Sequence, residues 1–360
     1  MRKALTALLL LLSLKAGAQD WLWTGFSPLR DTVSLYIVGD IMSHGPMVKS
    51  AIRTCPPDYS TFFKYLEGRI GEADIAIGNL EFPLAGRPYT GYPAFSGPPE
   101  YVEYLEKIGF DVLLTANNHI LDKGSAGLKS TLRKLNDCHL LYTGISASAD
   151  DDAARYPLLV GCKGIRIAFL NFTYGTNMGA SAPWPKVNYM NRKDISRALD
   201  RCREADIVIA FPHWGIEYAQ KHSPDQEEMA AWLVSEGVDL IIGTHPHVIQ
   251  DRQDVEGVPV FYSIGNAISN QRDLPARLEL GLRVRIATSY LEAPHLVDVT
   301  CEYLWCTKPG MVEESYSTLP VVDFLDHRER WKVKEDYDDM VRTLEMVKAT
   351  APLDGVLSSE

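Results

Sequence analysis

Apolar residues along the chain fall into short runs separated by amphipathic stretches. The run at 33–39 is rich in β-branched and aromatic residues and stops at Asp40, the pattern of a buried strand. Similar runs recur at 73–78, 111–115, 166–170, 206–211 and 238–242. Between them lie helical patterns over 59–69, 100–108, 126–136, 193–203 and 224–236. The last carries start signals, with Ser223 as N-cap, Pro224 at the first helical position and Gln226 where a capping box needs it. Strands alternating with helices predict an α/β sheet covered on both faces, with chemistry on loops beyond the strand ends. From about residue 248 the spacing changes to strands joined by tight turns, at 250–255, 258–264, 278–287 and 296–304. That predicts a second, partly antiparallel sheet completing a layered sandwich. A charged helix is expected over 328–348 and a disordered tail over 349–360. The loop 82–99 is long and crowded with aromatics, Pro and Gly, as in lids and binding loops, or in loops that lay their aromatics over a core.

The first residues stand outside this pattern. Arg2 and Lys3 precede an apolar run from Ala4 to Leu14, and Ala16-Gly17-Ala18 offers a small-residue cleavage site. The run is well short of the roughly 20 residues a spanning helix needs, so 1–18 reads as an export signal and the rest as periplasmic or cell-envelope associated, with no transmembrane segment left after cleavage. The expected division is signal 1–18, lead-in 19–32, main domain 33–270, a β-rich extension of it over 271–325, and a terminal helix and tail over 326–360. Losing the signal removes Arg2, Lys3 and Lys15 and no acid, taking the formal charge from −11 to −14. A field of that sign repels nucleic acid, which is not expected as a partner. The six cysteines show no C-x-x-C spacing, so the chemistry lies elsewhere.

It lies at the strand ends. The strongest runs lead into Asp40 and His44, into Asn79 and Glu81, into Asn117, Asn118, His119 and Asp122, into His213, Trp214 and Glu217, and into His245 and His247. Taken singly, each has an ordinary structural reading. Gathered at one sheet edge, they make a mixed carboxylate, imidazole and amide donor set suited to Mn, Fe or Zn and less to Ca. His245 and His247, two residues apart, point the same way if their segment is extended, which lets it serve two adjacent ions. Two such ions can share a carboxylate, activate water and clamp the oxygens of a displacement.

The ordered set Gly39-Asp40, Asn79-Leu80-Glu81, Ala116-Asn117-Asn118-His119 with Asp122-Lys123-Gly124, His213-Trp214-Gly215, His245-Pro246-His247 and Tyr262 to Asn266 resembles the bacterial capsule-synthesis CapA proteins. These are also described as poly-γ-glutamate synthesis proteins, and their fold is similar to the calcineurin-like metallophosphoesterases. The resemblance covers about residues 33–270 and implies a metallophosphatase-like α/β/β/α sandwich with two divalent metal ions. It would make Asp40 and His247 ligands of one ion, Asn118, His213 and His245 ligands of the other, and Glu81 the bridge. His119 would act beside the metals as general acid or oxyanion donor, and Asp122 would either orient it or fix the turn at Gly124. The phosphoesterases carry a second ligand two residues after the first aspartate, where this chain has Met42; His44 would have to reach in from the loop. Asn79, Asn117, Trp214, Glu217 and Asn266 are expected around the substrate. The implied activity is metal-dependent hydrolysis of a phosphoester or γ-glutamyl bond, on an anionic envelope polymer or a small substrate, with other capsule-synthesis proteins as implied partners. The other reading is a non-catalytic protein that keeps the fold and binds or guides the polymer.

Overall fold

The computed structural model describes residues 22–24, 32–179, 183–289, 292–351 and 353; the expected export signal and the end of the tail lie outside them. In chain order the strands are β1 (Leu22–Thr24), β2 (Thr32–Ile41), β3 (Ile75–Leu80), β4 (Val112–Leu114), β5 (Leu141–Thr143), β6 (Ile145–Ser146), β7 (Leu158–Cys162), β8 (Ile165–Thr173) and β9 (Lys186–Val187). They continue as β10 (Ile207–His213), β11 (Leu240–Ile242), β12 (Arg252–Val255), β13 (Val258–Phe261), β14 (Asn266–Ile268), β15 (Leu278–Ser289), β16 (Glu292–Thr307) and β17 (Ser317–Pro320). The helices are α1 (Gly45–Ala51), α2 (Glu67–Glu72), α3 (Pro99–Ile108), α4 (Gly124–Asn136), α5 (Ala149–Arg155), α6 (Arg192–Asp200), α7 (Pro224–Ser235) and α8 (Lys334–Thr350).

Alternation within the strands decides which layers meet. Val33, Leu35 and Ile37 of β2 share one core with Ile165, Ile167 and Phe169 of β8 and Ile207, Ile209 and Phe211 of β10. The intervening residues face the other way. Tyr36 and Val38 pack under α1 to α4, and Ala168, Leu170, Val208 and Ala210 pack under α6 and α7. The molecule is therefore an α/β/β/α sandwich. One sheet runs β1-β7-β8-β10-β11-β13-β12 and the other β17-β16-β15-β2-β3-β4-β5, with β14 also on β2. Strands β2 to β5 are mutually parallel, as are β8, β10, β11 and β13.

Three expectations need correction. The late strands do not form a sheet of their own. Strands β12 and β13 extend the first sheet, and β15 pairs antiparallel with β2 in a register (Leu282↔Ile37, Val284↔Leu35) that sends Leu282 and Val284 into the same core as their partners. The chemistry-bearing strand ends accordingly belong to two facing sheets and not to one edge. The helix expected over 59–69 is mostly turns, held by the bonds Phe62 N–H to Tyr59 and Leu66 N–H to Phe63. The helical spacing of Tyr59, Phe62, Phe63 and Leu66 is real, since all four are buried, but only α2 is regular helix. The charged C-terminal helix begins at Lys334, after a short 3-10 turn at Arg328–Arg330. Helix α7 has the capping box read from Ser223 and Gln226. Among the described residues no helix is long and apolar enough to cross a membrane, and all six cysteines are free thiols.

Candidate metal centre

Parallel strands from both sheets finish at the same end of the sandwich. Asp40 closes β2, in register with Asn79 of β3 and Asn266 of β14. Glu81 follows β3, and its N–H bonds the Ile41 carbonyl at 3.1 Å. Opposite them, β10 ends at His213, and the turn after β11 carries His245 and His247.

Six polar side chains converge there without solvent. Glu81, His213 and His245 each offer an atom within 4.8 Å of the others, and so do Asp40, Glu81 and His247, so Glu81 belongs to both groups. Asn118 Oδ1 lies 2.9 Å from His213 Nε2. Asp40 accepts from the Asn79 amide at 2.7 Å and from the His245 N–H at 3.2 Å, and its Oδ2 is 3.2 Å from His247 Nδ1. The Asn117 amide donates to the Leu80 carbonyl at 2.8 Å. Asp40, Glu81, Asn79, Asn117 and His213 are all fully buried.

The electrostatics of the cluster favour positive charge beside its carboxylates. Burial pushes the Glu81 carboxyl well above the usual carboxylate range, and the Asp40 charge raises it further. Burial and the neighbouring His247 hold His245 down at about 3, and burial takes His213 well below its ordinary value. Both carboxylate oxygens of Glu81 are buried without a hydrogen-bond partner, as is Nδ1 of His245. An orphaned buried carboxyl is costly unless something electropositive meets it. The donor set of carboxylates, imidazoles and one amide oxygen fits divalent Mn, Fe or Zn.

The backbone is strained to make this convergence. The segment His245-Pro246-His247 is not extended, as the spacing argument assumed; His245 has φ 99° and His247 φ 59°, both left-handed. The rings still approach to 6.1 Å between centroids. Two β-carbon-bearing residues in that region cost roughly 1–3 kcal/mol each, a strain typical of functional sites.

His119 stands beside the cluster. Its Nδ1 is 2.8 Å from Asp122 Oδ2, which also accepts the Phe95 N–H at 2.8 Å. With Nδ1–H donated to the carboxylate, Nε2 is the nitrogen left to a substrate. Phe95 fixes the ring from the side, edge-on at 4.6 Å, and meets His44 similarly at 5.4 Å. His44 is mostly buried and held at about 3 by desolvation and the nearby His247 and His119. It joins neither three-residue group, and its Nδ1 takes the Asn270 N–H at 3.3 Å.

The residues expected around a substrate are mostly walls. Trp214 is fully buried in the core under α7 and donates its indole N–H to the Tyr262 carbonyl. Asn266 is fully buried and holds the carbonyls of His247 and Ala276. Glu217 is exposed at the mouth, near enough for its charge to act on Glu81 and Tyr174.

Four contributors were missed. Thr244 Oγ1 lies 2.9 Å from His213 Nδ1 and can fix its tautomer. Asn171 of β8 accepts the N–H groups of Thr115 and Ala116 and donates to the Phe211 carbonyl, lacing the two sheets just behind the centre. The Asn177 backbone N–H donates to the Asn118 carbonyl at 2.9 Å. Tyr174 packs its ring 4.7 Å from His245. Asn171 had a readable signal, a lone amide inside the apolar run Phe169 to Phe172; the others lie on loops with none.

Comparison with known proteins bears on the whole arrangement. A profile for "Bacterial capsule synthesis protein PGA_cap" matches residues 34–271. The chain is 32% identical over 255 residues to the "Capsule biosynthesis protein CapA" of Bacillus anthracis, covering 67% of this chain and 61% of that protein. It is 31% identical over 248 residues to the "PGA biosynthesis protein CapA" of Bacillus subtilis (strain 168), covering 67% and 64%. The chain thus spans under two thirds of these relatives' length. Among solved structures, NAD nucleotidase of Haemophilus influenzae is similar at 12% identity and a TM-score of 0.44, over 91% of this chain and 65% of that one. A likeness that loose carries no inference about chemistry. The profile match and the two CapA relatives together show that the chain belongs to the bacterial capsule synthesis protein family PGA_cap.

Proposed function

We propose that this protein is an exported, metal-dependent hydrolase of capsule or poly-γ-glutamate metabolism, cutting a phosphoester or γ-glutamyl bond. The observation that carries the reading is Glu81, a fully buried carboxylate with both oxygens unpartnered, shared by two groups of imidazole and carboxylate donors. Asp40, Glu81 and His247 would hold one divalent cation, and Glu81, Asn118, His213 and His245 a second. Bound cations of this kind supply Lewis acidity and lower the pKa of water.

The chain's own residues supply the rest. Asn79 and the His245 N–H orient Asp40, and Thr244 orients His213. His119, tied to Asp122 and braced by Phe95, presents Nε2 to a leaving group or a developing oxyanion. Apolar walls around the cluster exclude water, which strengthens each electrostatic contact.

The test is metal analysis of the purified full chain, joined to turnover of phosphomonoester, phosphodiester and γ-glutamyl probes with and without added Mn, Fe or Zn. Metal near two ions per chain with metal-dependent turnover is expected. Bound metal with no turnover of any probe favours a polymer-guiding protein, and absence of metal binding defeats the reading. Export is tested by locating the tagged protein in fractionated cells.

A further inference from the structure

A cavity of about 1000 Å³ lies between α1 and the tip of the 82–99 loop, outside the chemistry just described. Three cations line it: Lys49 from the last turn of α1, Arg87 from the loop, and Lys123 just before α4. No aspartate or glutamate does, on a chain whose formal charge is −11. None of the three cations forms an ion pair with a carboxylate among the described residues. Arg87 lies over the Tyr89 ring, 4.8 Å from its centroid, which positions the guanidinium without neutralising it. Like charges gathered in one hollow repel one another unless an anion enters. The remaining wall includes Ile52 and Tyr92, 42% and 76% exposed, so the same hollow also offers apolar surface.

The cavity adjoins the metal centre through chain continuity. Gly45 and Lys123 in its wall directly follow His44 and Asp122, and Ala94 directly precedes Phe95, the residue that braces His119 and His44. Cations interleaved with apolar surface match a chain of regularly spaced carboxylates on aliphatic spacers. A flat bilayer cannot enter a hollow.

We propose that this groove binds a polycarboxylate chain of the γ-linked glutamate type, its carboxylates against Lys49, Arg87 and Lys123, and leads one linkage toward the metal centre. The last step rests on the hydrolase reading; the binding itself does not. The experiment titrates a fluorescein-labelled γ-linked glutamate oligomer into the metal-loaded full chain and into the Lys49→Glu, Arg87→Glu double variant, at low and high salt. Affinity is expected to fall about tenfold or more in the variant, and the salt dependence to flatten, with metal content and melting temperature unchanged. Both substituted residues are exposed; should the reversal fail to fold, Lys49→Gln with Arg87→Gln removes the charge without adding acid and must still weaken binding. Equal affinity of folded variant and wild type, or no binding by the wild type, overturns the groove. Capture of phosphatidylglycerol vesicles in preference to the oligomer, lost in the same variant, overturns the polymer assignment. Metal content and probe turnover of the wild type are measured separately, so the hydrolase reading stands or falls on its own data.

Discussion

Glu81 sets the proton inventory of the centre. Its carboxyl is pushed well above the usual range by burial and by Asp40, whereas His245 is held near 3 and is neutral at ordinary pH. Ions entering the site must expel a proton from Glu81 and none from His213 or His245. Metal binding should therefore release about one proton per chain and tighten as pH rises; calorimetry in buffers of different ionisation enthalpy reads this, and zero release contradicts it. In the metal-free chain the same two groups act in opposite senses. Glu81 holds its proton more tightly folded than unfolded, so its share of stability is lost as pH climbs above the ordinary value of 4.5. His245 holds its proton less tightly folded, so its share is lost as pH falls from 6.5 toward 3. The roles of two neighbours separate by substitution. His213→Ala removes a nitrogen from the cluster and should strip metal. His119→Asn should keep metal and lower turnover by about 10²- to 10⁴-fold, as for a lost general acid. Metal loss in His119→Asn would reassign it as a ligand. The left-handed backbone at His245 gives a third test. His245→Gly relieves strain that His245→Ala retains, so the glycine variant should melt higher than the alanine variant in chelator although both lose metal.

At the scale of elements, close backbone approach between β2 and β14 places Asp40. A β-carbon on Gly39 would lie 1.9 Å from the Gly265 carbonyl oxygen, beside the bond from Asp40 N–H to that same oxygen. Gly39→Ala must part the strands, at a cost of about 2–3 kcal/mol, and should weaken metal binding along with stability; unaltered melting and metal content would show the strands can yield. The strand ends were legible because buried parallel strands read as apolar runs, and each run here stops at a polar side chain such as Asp40 or His213. Their convergence was legible only as a list. Which sheet β15 would join depends on pairing with β2, a contact between positions such as Leu282 and Ile37 that no local period encodes. The phosphoesterase-type spacing left His44 as a candidate, and its bond from Asn270 could not be foreseen, since that partner comes from a turn more than two hundred residues away. Tyr174, Asn177 and Thr244 escaped for a similar reason: loop residues earn their place by position and not by type.

Across the whole molecule, the two sheets are joined by an apolar core and, at one end, by the polar cluster. A core of this extent does not need disulfides, and the cysteines are free thiols. Chelator should lower the melting temperature clearly, while reductant leaves it in place; a large loss in reductant would mean that thiols pair in solution. Asp40 and His245, joined by a hydrogen bond in the fold, stand 205 positions apart along the chain. An ion held between their strands closes a loop of that size, and an unfolded chain has almost no chance of presenting both ends at once. The unfolded chain keeps only local donors such as His245 and His247, so its hold on an ion is much the weaker and most of the binding energy falls on the native side of the equilibrium. If the chain crosses a membrane unfolded, it crosses without an assembled site. Its metal is then chosen by whatever ions surround it where folding is completed, and not by those of the compartment in which it was made.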